Sequence, residues 1–218
     1  MSNDHPTKGQ LTREKILHTA RNLFYIHGFH NTTSRMISEV SDTNLGLLNY
    51  YFKSKNEIGR LVYTDIRDTF DDLIAKNEPE MSDEDLFLFS SALELYLCIT
   101  NATYGNFYHE FIAEPNNRSN VQQHISDILM KHRGTDGMDD YTKLATLSIS
   151  AIKPAVVSYV LAHPDEIDTD TYLRYYLEQQ LHFLERGKED ADYFIDLIHS
   201  YHISVAERFT PILIKLNS

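Results

Sequence analysis

The spacing of apolar residues constrains the fold of this chain more than any other feature. Apolar residues recur at intervals of three and four along nearly all of the 218 residues, and no segment shows the strict alternation typical of a β-strand. Glycine and proline are few, and no internal repeat or low-complexity tract interrupts the pattern. The sequence therefore predicts an all-α protein.

The composition narrows the class of protein and its compartment. A hydrophobic content of 42% and a mean hydropathy of -0.39 are typical of a soluble globular chain. The single cysteine, Cys98, excludes an internal disulfide and fits a reducing compartment. The first ten residues lack the charged and apolar regions of a signal peptide. We therefore expect a cytoplasmic protein with no membrane association.

The first 56 residues predict three helices. Thr12 is a candidate N-cap for the first helix, with Leu11 and Ile16 as a hydrophobic staple and Gly28 as the terminating residue. A short second helix is expected over about residues 34–41, capped by Thr32 or Thr33, and a third begins after Asn44. The inward stripe predicted for the first helix is Ile16, Ala20, Leu23 and Phe24.

The second and third helices have the arrangement of a helix-turn-helix, joined by the turn at residues 41–43. Ile37 and Val40 on one helix, with Leu48 and Phe52 on the other, are expected to face the first helix. In this motif the leading turn of the second helix enters the major groove of DNA. The residues predicted to face outward there are Asn44, Leu45, Gly46, Leu47, Asn49 and Tyr50.

The outward residues suggest how bases would be recognised. Asn49 can make a bidentate pair with an adenine, and Leu45 and Leu47 can pack on thymine methyl groups. The alternative is that the two leucines pack only against the other helices of this N-terminal segment. The candidates for contacts with the DNA backbone, which set the register, are Thr33, Arg35, Tyr50, Tyr51, Lys53 and Lys55.

Residues 12–58 as a whole resemble the DNA-binding head of TetR-family regulators. The similarity comprises the pattern ILxxAxxLFxxxGF over residues 16–29, a Thr-x-x-x-Ile second helix, and the terminal Tyr51, Phe52, Lys53 and Lys55. The chain departs from the family at Asp42, where a turn glycine is usual. It departs again at Leu45, Leu47 and Asn49, where Lys, Thr or Ser, and Tyr are common.

The resemblance implies an Ω-shaped homodimer that binds a palindromic operator and is released by a small effector, usually as a repressor. It places a helix-turn-helix domain at residues 1–55 and a helical ligand-binding and dimerisation domain at residues 56–218. The charge distribution agrees with this division. Residues 1–60 carry a net charge of +3 and the remainder −15, so only the N-terminal end is suited to approach phosphate.

The remaining helices are predicted from periodicity and turn signals. A fourth helix is expected over residues 56–76, ended by Glu78-Pro79-Glu80. The apolar stretch 144–162 is interpreted as a buried, kinked helix rather than a membrane span, because Lys153 and Pro154 lie at its centre. Other candidate helices lie near 83–100, 103–113, 120–132, 139–163, 169–186 and 190–216, separated by turns at 114–120, 133–137, 163–168 and 186–190.

The family resemblance assigns dimerisation to the last two long helices, each of which has an apolar stripe. The alternative is that these stripes belong to the core of a single chain. The predicted dimer residues are Leu173, Tyr176, Leu177, Leu181, Leu184, Phe194, Ile198, Tyr201, Val205 and Phe209.

A ligand site is expected between the helices near 83–113 and 139–163, where aromatic and hydroxyl side chains would suit a small hydrophobic or aromatic effector. Each of these residues could equally be an ordinary core aromatic. The candidates are Tyr96, Asn101, Tyr104, Phe107, Tyr108, Phe111, Ile149, Ser150, Ile152 and Ser158.

No catalytic motif, cofactor-binding motif or convincing metal site is present. There is no Gly-x-Ser-x-Gly, phosphate-binding loop, dinucleotide fingerprint or His-Glu-x-x-His pattern. Asp196, His199 and His202 are spaced along a helix but diverge around it, so solvated or interface histidines are favoured over metal ligands. Two alternatives to a DNA-binding regulator stay open: a protein-interaction regulator with this fold, and a helical enzyme.

Overall fold

The computed structural model describes residues 7–166 and 168–201, and every regular element in these ranges is helical, which confirms the all-α prediction. After α8 comes a short 3₁₀ turn, Pro164–Glu166. A last helix, α10, begins at residue 190 and continues to residue 201, where the described part ends. The other helices are α1 Lys8–His27, α2 Ser34–Val40, α3 Leu45–Tyr51, α4 Lys55–Asn77, α5 Asp83–Thr100, α6 Ala102–Ala113, α7 Pro115–Arg133, α8 Asp140–Ala162 and α9 Thr169–Phe183.

The chain forms two compact units that divide within α4, between Thr69 and Phe70. The first unit, called the head below, contains α1 to α3 and most of α4. The second unit, called the body, contains the end of α4 and helices α5 to α10.

Helix α1 begins earlier than predicted. Thr7 caps it by accepting a hydrogen bond from the Gln10 amide, and the Gln10 side chain accepts one from the Thr7 amide. This Thr-x-x-Gln box satisfies two backbone donors at once, so the helix starts one turn before Thr12. Thr12 instead donates to the Lys8 carbonyl, and Leu11 is exposed, so the predicted staple is wrong.

Helix α1 ends as predicted. Gly28 follows the last helical residue with a positive φ of 81°, a conformation that an L side chain rarely adopts. The buried Thr32 hydroxyl lies 3.1 Å from the Leu23 carbonyl oxygen and 2.8 Å from that of Gly28. These contacts fix the turn that leads into α2.

The helix-turn-helix forms where the sequence predicted it. The Thr33 side chain caps α2, and the Asn44 side chain caps α3 by accepting from the Leu47 amide at 2.7 Å. Asp42 adopts a φ of 49°, so it takes the left-handed conformation that explains why a glycine is usual at this turn position in the family.

One apolar residue of this motif was assigned to the wrong side. Ile37, Leu48 and Phe52 are buried as expected, but Val40 is 63% exposed. Ser41 occupies the inward position four residues after Ile37, and its hydroxyl contacts the Ser38 carbonyl and the Thr43 hydroxyl. Periodicity alone could not choose between Val40 and Ser41, because the helix ends between them.

Helices α5 and α6 meet at a sharp bend of 117° and pack closely. A Cβ atom placed on Gly105 would lie 2.6 Å from the Cys98 carbonyl oxygen, so only glycine allows this approach. The predicted turn at 114–120 is wrong. Pro115 stands at the first position of α7, where its missing N–H costs nothing, and the Asn117 side chain donates to the Phe111 carbonyl.

Helix α8 is apolar but buried on one face only. Its most apolar 18-residue stretch has a mean hydropathy of 1.6, so by length and composition the helix could cross a membrane. The core helix of a folded protein meets the same description, and one third of this stretch is buried. The prediction of a buried helix therefore holds for one face of α8 and not for the other. Its inner face carries Lys153, whereas Leu144, Leu147, Ala151 and Ala155 lie on the outside.

The stripes of α9 and α10 correct the predicted dimer face. Eight of the ten predicted residues are described, and none is more than 6% exposed within a single chain. A side chain that is already buried has no surface to offer a second copy, so the described part of these stripes belongs to the core of the body, as the alternative interpretation predicted. The eight are Leu173, Tyr176, Leu177, Leu181, Leu184, Phe194, Ile198 and Tyr201, and Val205 and Phe209 lie outside the described residues.

Candidate nucleic-acid interface and ligand site

The leading turn of α3 is on the surface of the head. Leu48 is fully buried and Phe52 almost so, which turns the opposite side of this seven-residue helix outward. Of the predicted reading residues, Leu47 is half-buried, which agrees with partial packing within the head. The exposed ones are Asn44, Leu45, Gly46, Asn49 and Tyr50.

The residues predicted to contact the DNA backbone differ in their exposure and in the bonds that they already make. Thr33 is exposed but its hydroxyl already caps α2. Arg35 is exposed and bonds Glu39 at 3.0 Å, an ion pair that solvent screens. Tyr51 is half-buried, with its ring 5.3 Å from that of Tyr50, and Lys53 is exposed. Arg35 and Lys53 are therefore the predicted cations most accessible to phosphate.

Lys55 has a different role from the predicted one. Its ammonium donates to the Phe29 carbonyl at 2.8 Å and to the His30 carbonyl at 3.3 Å, and it lies 4.5 Å from the centre of the Phe29 ring. These carbonyls belong to the turn between α1 and α2. The assignment of Lys55 to the DNA backbone is corrected: it connects the start of α4 to that turn.

We expect Lys55→Met to lower the free energy of unfolding of the head by about 1–3 kcal/mol, because two carbonyl groups lose a charged donor. Urea unfolding followed by circular dichroism measures this. Lys53→Met is the matched control. It should leave stability unchanged within about 0.5 kcal/mol and reduce the salt slope of DNA binding by about one. Equal salt effects of the two variants would contradict the assignment.

A buried ion pair lies in the body. Glu94 of α5 and Lys153 of α8 are 1% and 7% exposed, and their Oε2 and Nζ atoms are 2.6 Å apart. The Tyr104 hydroxyl donates to the other Glu94 oxygen at 3.1 Å. A carboxylate and an ammonium removed from water are stable only with such partners.

Two further tyrosines lie near the Lys153 ammonium. Its ammonium lies 5.5 Å from the centre of the Tyr176 ring and 5.9 Å from that of Tyr108, within the range of cation–π attraction. The Tyr176 hydroxyl is 2.5 Å from that of Ser91. The network therefore joins side chains from α5, α6, α8 and α9.

The predicted effector residues divide into three groups. Tyr104 and Tyr108 contact the ion pair, and Phe107 and Phe111 stack at 5.6 Å beside Tyr104. Asn101 caps α6, Ser150 accepts from Gln122, and Ile149 is buried, while Tyr96 and Ile152 are half-buried. Ser158 is exposed on the outer face of α8, so its assignment to the interior is wrong.

Sequence reasoning missed Glu94 and Ser91, treated Lys153 only as an argument against a membrane span, and assigned Tyr176 to the dimer. One signal was available. Glu94 is the sole acidic or basic residue of 86–100, and Lys153 is the sole one of 144–162. A lone charge in an apolar helix needs a partner, and two of opposite sign can supply each other.

Cys98 and His199 have structural explanations. Burial raises the pKa of the Cys98 thiol well above its usual value, so it stays protonated in the core. His199 bonds Asp170 at 2.8 Å, and His202, which the sequence spaced with it, lies outside the described residues. No group of three metal-ligating side chains lies within the described ranges.

Residues 16–60, which comprise most of α1, the helix-turn-helix and the start of α4, match the family model of bacterial regulatory proteins of the tetR family. No protein of curated function matches the chain significantly in sequence. The sequence match is therefore confined to the head, whereas the structural matches cover most of the chain.

Many solved structures share the fold. SmeT, the repressor of a multidrug efflux pump of Stenotrophomonas maltophilia, is 18% identical with a TM-score of 0.55, covering 81% of this chain and 91% of its own. RolR in complex with resorcinol is 17% identical (TM-score 0.55; 86% and 94% covered). NalD, a secondary efflux-pump repressor of Pseudomonas aeruginosa, is 19% identical (0.53; 81% and 98%). SmeT and NalD are both described as repressors of multidrug efflux pumps.

Proposed function

We propose that the chain is a TetR-family transcriptional regulator that binds a palindromic operator as a homodimer and represses transcription until a small molecule enters the body. The match of residues 16–60 to the family model supports this proposal. The observation that carries the DNA-binding proposal is the exposed leading turn of α3, held by a buried Leu48 and Phe52. We also propose that it acts in the cytoplasm, since its single cysteine fits a reducing compartment.

The charge distribution supports a requirement for two heads. Residues 1–60 carry only +3 and the rest of the chain carries −15, so one head gains little from phosphate and the body repels DNA. Two linked heads raise the effective concentration of the second at its half-site, about one helical turn away. We therefore expect binding that depends steeply on salt and on dimerisation.

The outer face of α8 is the surface we propose for the second copy. Leu144 and Leu147 are 65% and 53% exposed, and small side chains continue the same face at Ala151 and Ala155. Small residues allow two helices to approach closely, and leucines at one end supply apolar contact. This proposal replaces the prediction that the apolar stripes of α9 and α10 form the dimer face.

The interior of the body is the proposed effector site. The buried tyrosines around Glu94 and Lys153 combine aromatic surface with a few fixed polar groups, which is the usual composition of a small-molecule site. SmeT has been solved with triclosan and RolR with resorcinol, both small aromatic molecules. These two cases favour an aromatic effector here.

A second candidate function is a regulator that binds a protein instead of DNA. The observation in its favour is the apolar surface of the head, where Val40, Leu45 and Tyr50 are 63%, 43% and 80% exposed. Selection of bound duplexes from a random pool at low salt separates the two functions. Enrichment of a palindrome supports the regulator of transcription, and the absence of any enriched duplex supports the protein-binding alternative.

Asn49→Ala tests the reading of bases directly. We expect it to remove discrimination at one base pair of each half-site, worth about 1–3 kcal/mol, while other positions keep their preference. Repeating the duplex selection with the variant measures this, and Lys53→Met, which should weaken binding to all sequences alike, is the control. An unchanged preference at every position would show that Asn49 makes no base contact.

A further inference from the structure

The Glu94 carboxylate is held in place independently of its ion pair. It is almost fully buried within α5, and the Tyr104 hydroxyl binds one of its oxygens at 3.1 Å. Tyr104 follows the tight α5–α6 bend and is itself 2% exposed. The carboxylate therefore stays oriented whichever cation lies against its other oxygen.

The cation at that oxygen is an alkylammonium surrounded by aromatic rings. The Lys153 ammonium lies 2.6 Å from Glu94 and within 6 Å of the centres of the Tyr108 and Tyr176 rings. A carboxylate with two or more aromatic faces is the arrangement by which proteins recognise ammonium ligands. We call Glu94, Tyr104, Tyr108 and Tyr176 the tyrosine cage.

Lys153 is the partner that can be replaced. Its charge is at the end of a four-carbon chain with many rotamers, whereas Glu94 and the tyrosines are held by packing and hydrogen bonds. The net charge of −15 outside residues 1–60 also favours a cation over an anion in the body.

We propose that the tyrosine cage is a binding site for a small organic monocation, and that Lys153 is a built-in competitor which the ligand displaces from Glu94. This inference deepens the proposed function. The claim that the bound cation is the effector rests on that function, whereas the claim that the cage binds a cation does not. The incoming ammonium takes over the contact with Glu94 and the rings, and the Lys153 chain moves aside. No bond is made or broken.

The test uses the purified full-length protein and three probes of similar size: benzyltrimethylammonium, benzyl alcohol and benzoate. Isothermal titration without DNA is expected to show binding of the cation at least about tenfold tighter than of the neutral or anionic probe. Equal or tighter binding of benzyl alcohol or benzoate overturns the proposal, as does no binding of the cation to the wild-type protein.

Variants identify the site. Lys153→Ala removes the competitor and vacates its volume, so the affinity for benzyltrimethylammonium should rise by about tenfold or more. Lys143→Ala is the control, because Lys143 is an exposed lysine of the same helix, and it should leave the affinity unchanged.

If the Lys153→Ala protein does not fold, a pair of variants at Tyr108 provides the test. Tyr108→Leu should weaken binding about fivefold or more, and Tyr108→Phe, which keeps the ring, should not. Equal effects of the Tyr108 pair contradict the proposal.

Failure of this inference and failure of the proposed function give different results. Titration needs no operator, so the cage can bind the cation in a protein that enriches no duplex, which would refute only the function. If an operator is found, benzyltrimethylammonium should lower the affinity for it by about tenfold. Binding of the cation without any change in operator affinity would contradict the effector step.

Discussion

Lys153→Met is expected to lower the free energy of unfolding by about 3–5 kcal/mol, because it leaves the Glu94 carboxylate buried without its cation. Methionine nearly preserves the shape of the lysine side chain, so the loss would come from the charge and not from a cavity. The hydrogen bond from the Tyr104 hydroxyl compensates for part of the desolvation of Glu94.

Equilibrium unfolding in urea, followed by circular dichroism, measures this change. Lys143→Met is the matched control, since Lys143 is on the same helix but about half exposed and paired with Asp140, and it should cost no more than about 0.5 kcal/mol. The double variant Lys153→Met, Glu94→Met should recover most of the lost stability, because both charges are gone. A single variant as stable as the wild type would show that the pair is not desolvated.

Leu144→Asp is expected to convert the dimer to a monomer and to weaken operator binding by about 100-fold or more, because the two heads are then no longer linked. Leu144 is 65% exposed in the single chain, so the substitution should leave the stability of the protomer almost unchanged. The charge would meet its symmetry equivalent or an apolar face across the proposed interface, at the cost of desolvation.

Sedimentation equilibrium gives the oligomeric state, and titration of the selected operator gives the affinity. Ile26→Asp provides the control for the oligomeric state, because Ile26 is comparably exposed but lies in the head. It should remain a dimer. A Leu144→Asp protein that stays dimeric at micromolar concentration would place the second copy on another surface.

The sequence by itself determined the architecture of the head and the helical class of the body. Gly28, Thr33 and Asn44 act on the backbone within a few residues of themselves, so the turn and caps that they form follow from local chemistry. The match of residues 16–60 to a family model reflects the same property, since a short helix-turn-helix depends mainly on contacts that are near in sequence.

Only the tertiary structure decided which buried face meets which partner. An apolar stripe predicts burial equally well against the same chain or a second copy, and the stripes of α9 and α10 proved to be core. Lys55 reaches carbonyls 25 and 26 residues away, and Glu94 meets Lys153 across 59 residues. Periodicity predicts that a side chain is buried, but it does not predict which group pairs with that side chain. The pairing depends on how the helices pack, and a local sequence pattern carries no information on that packing.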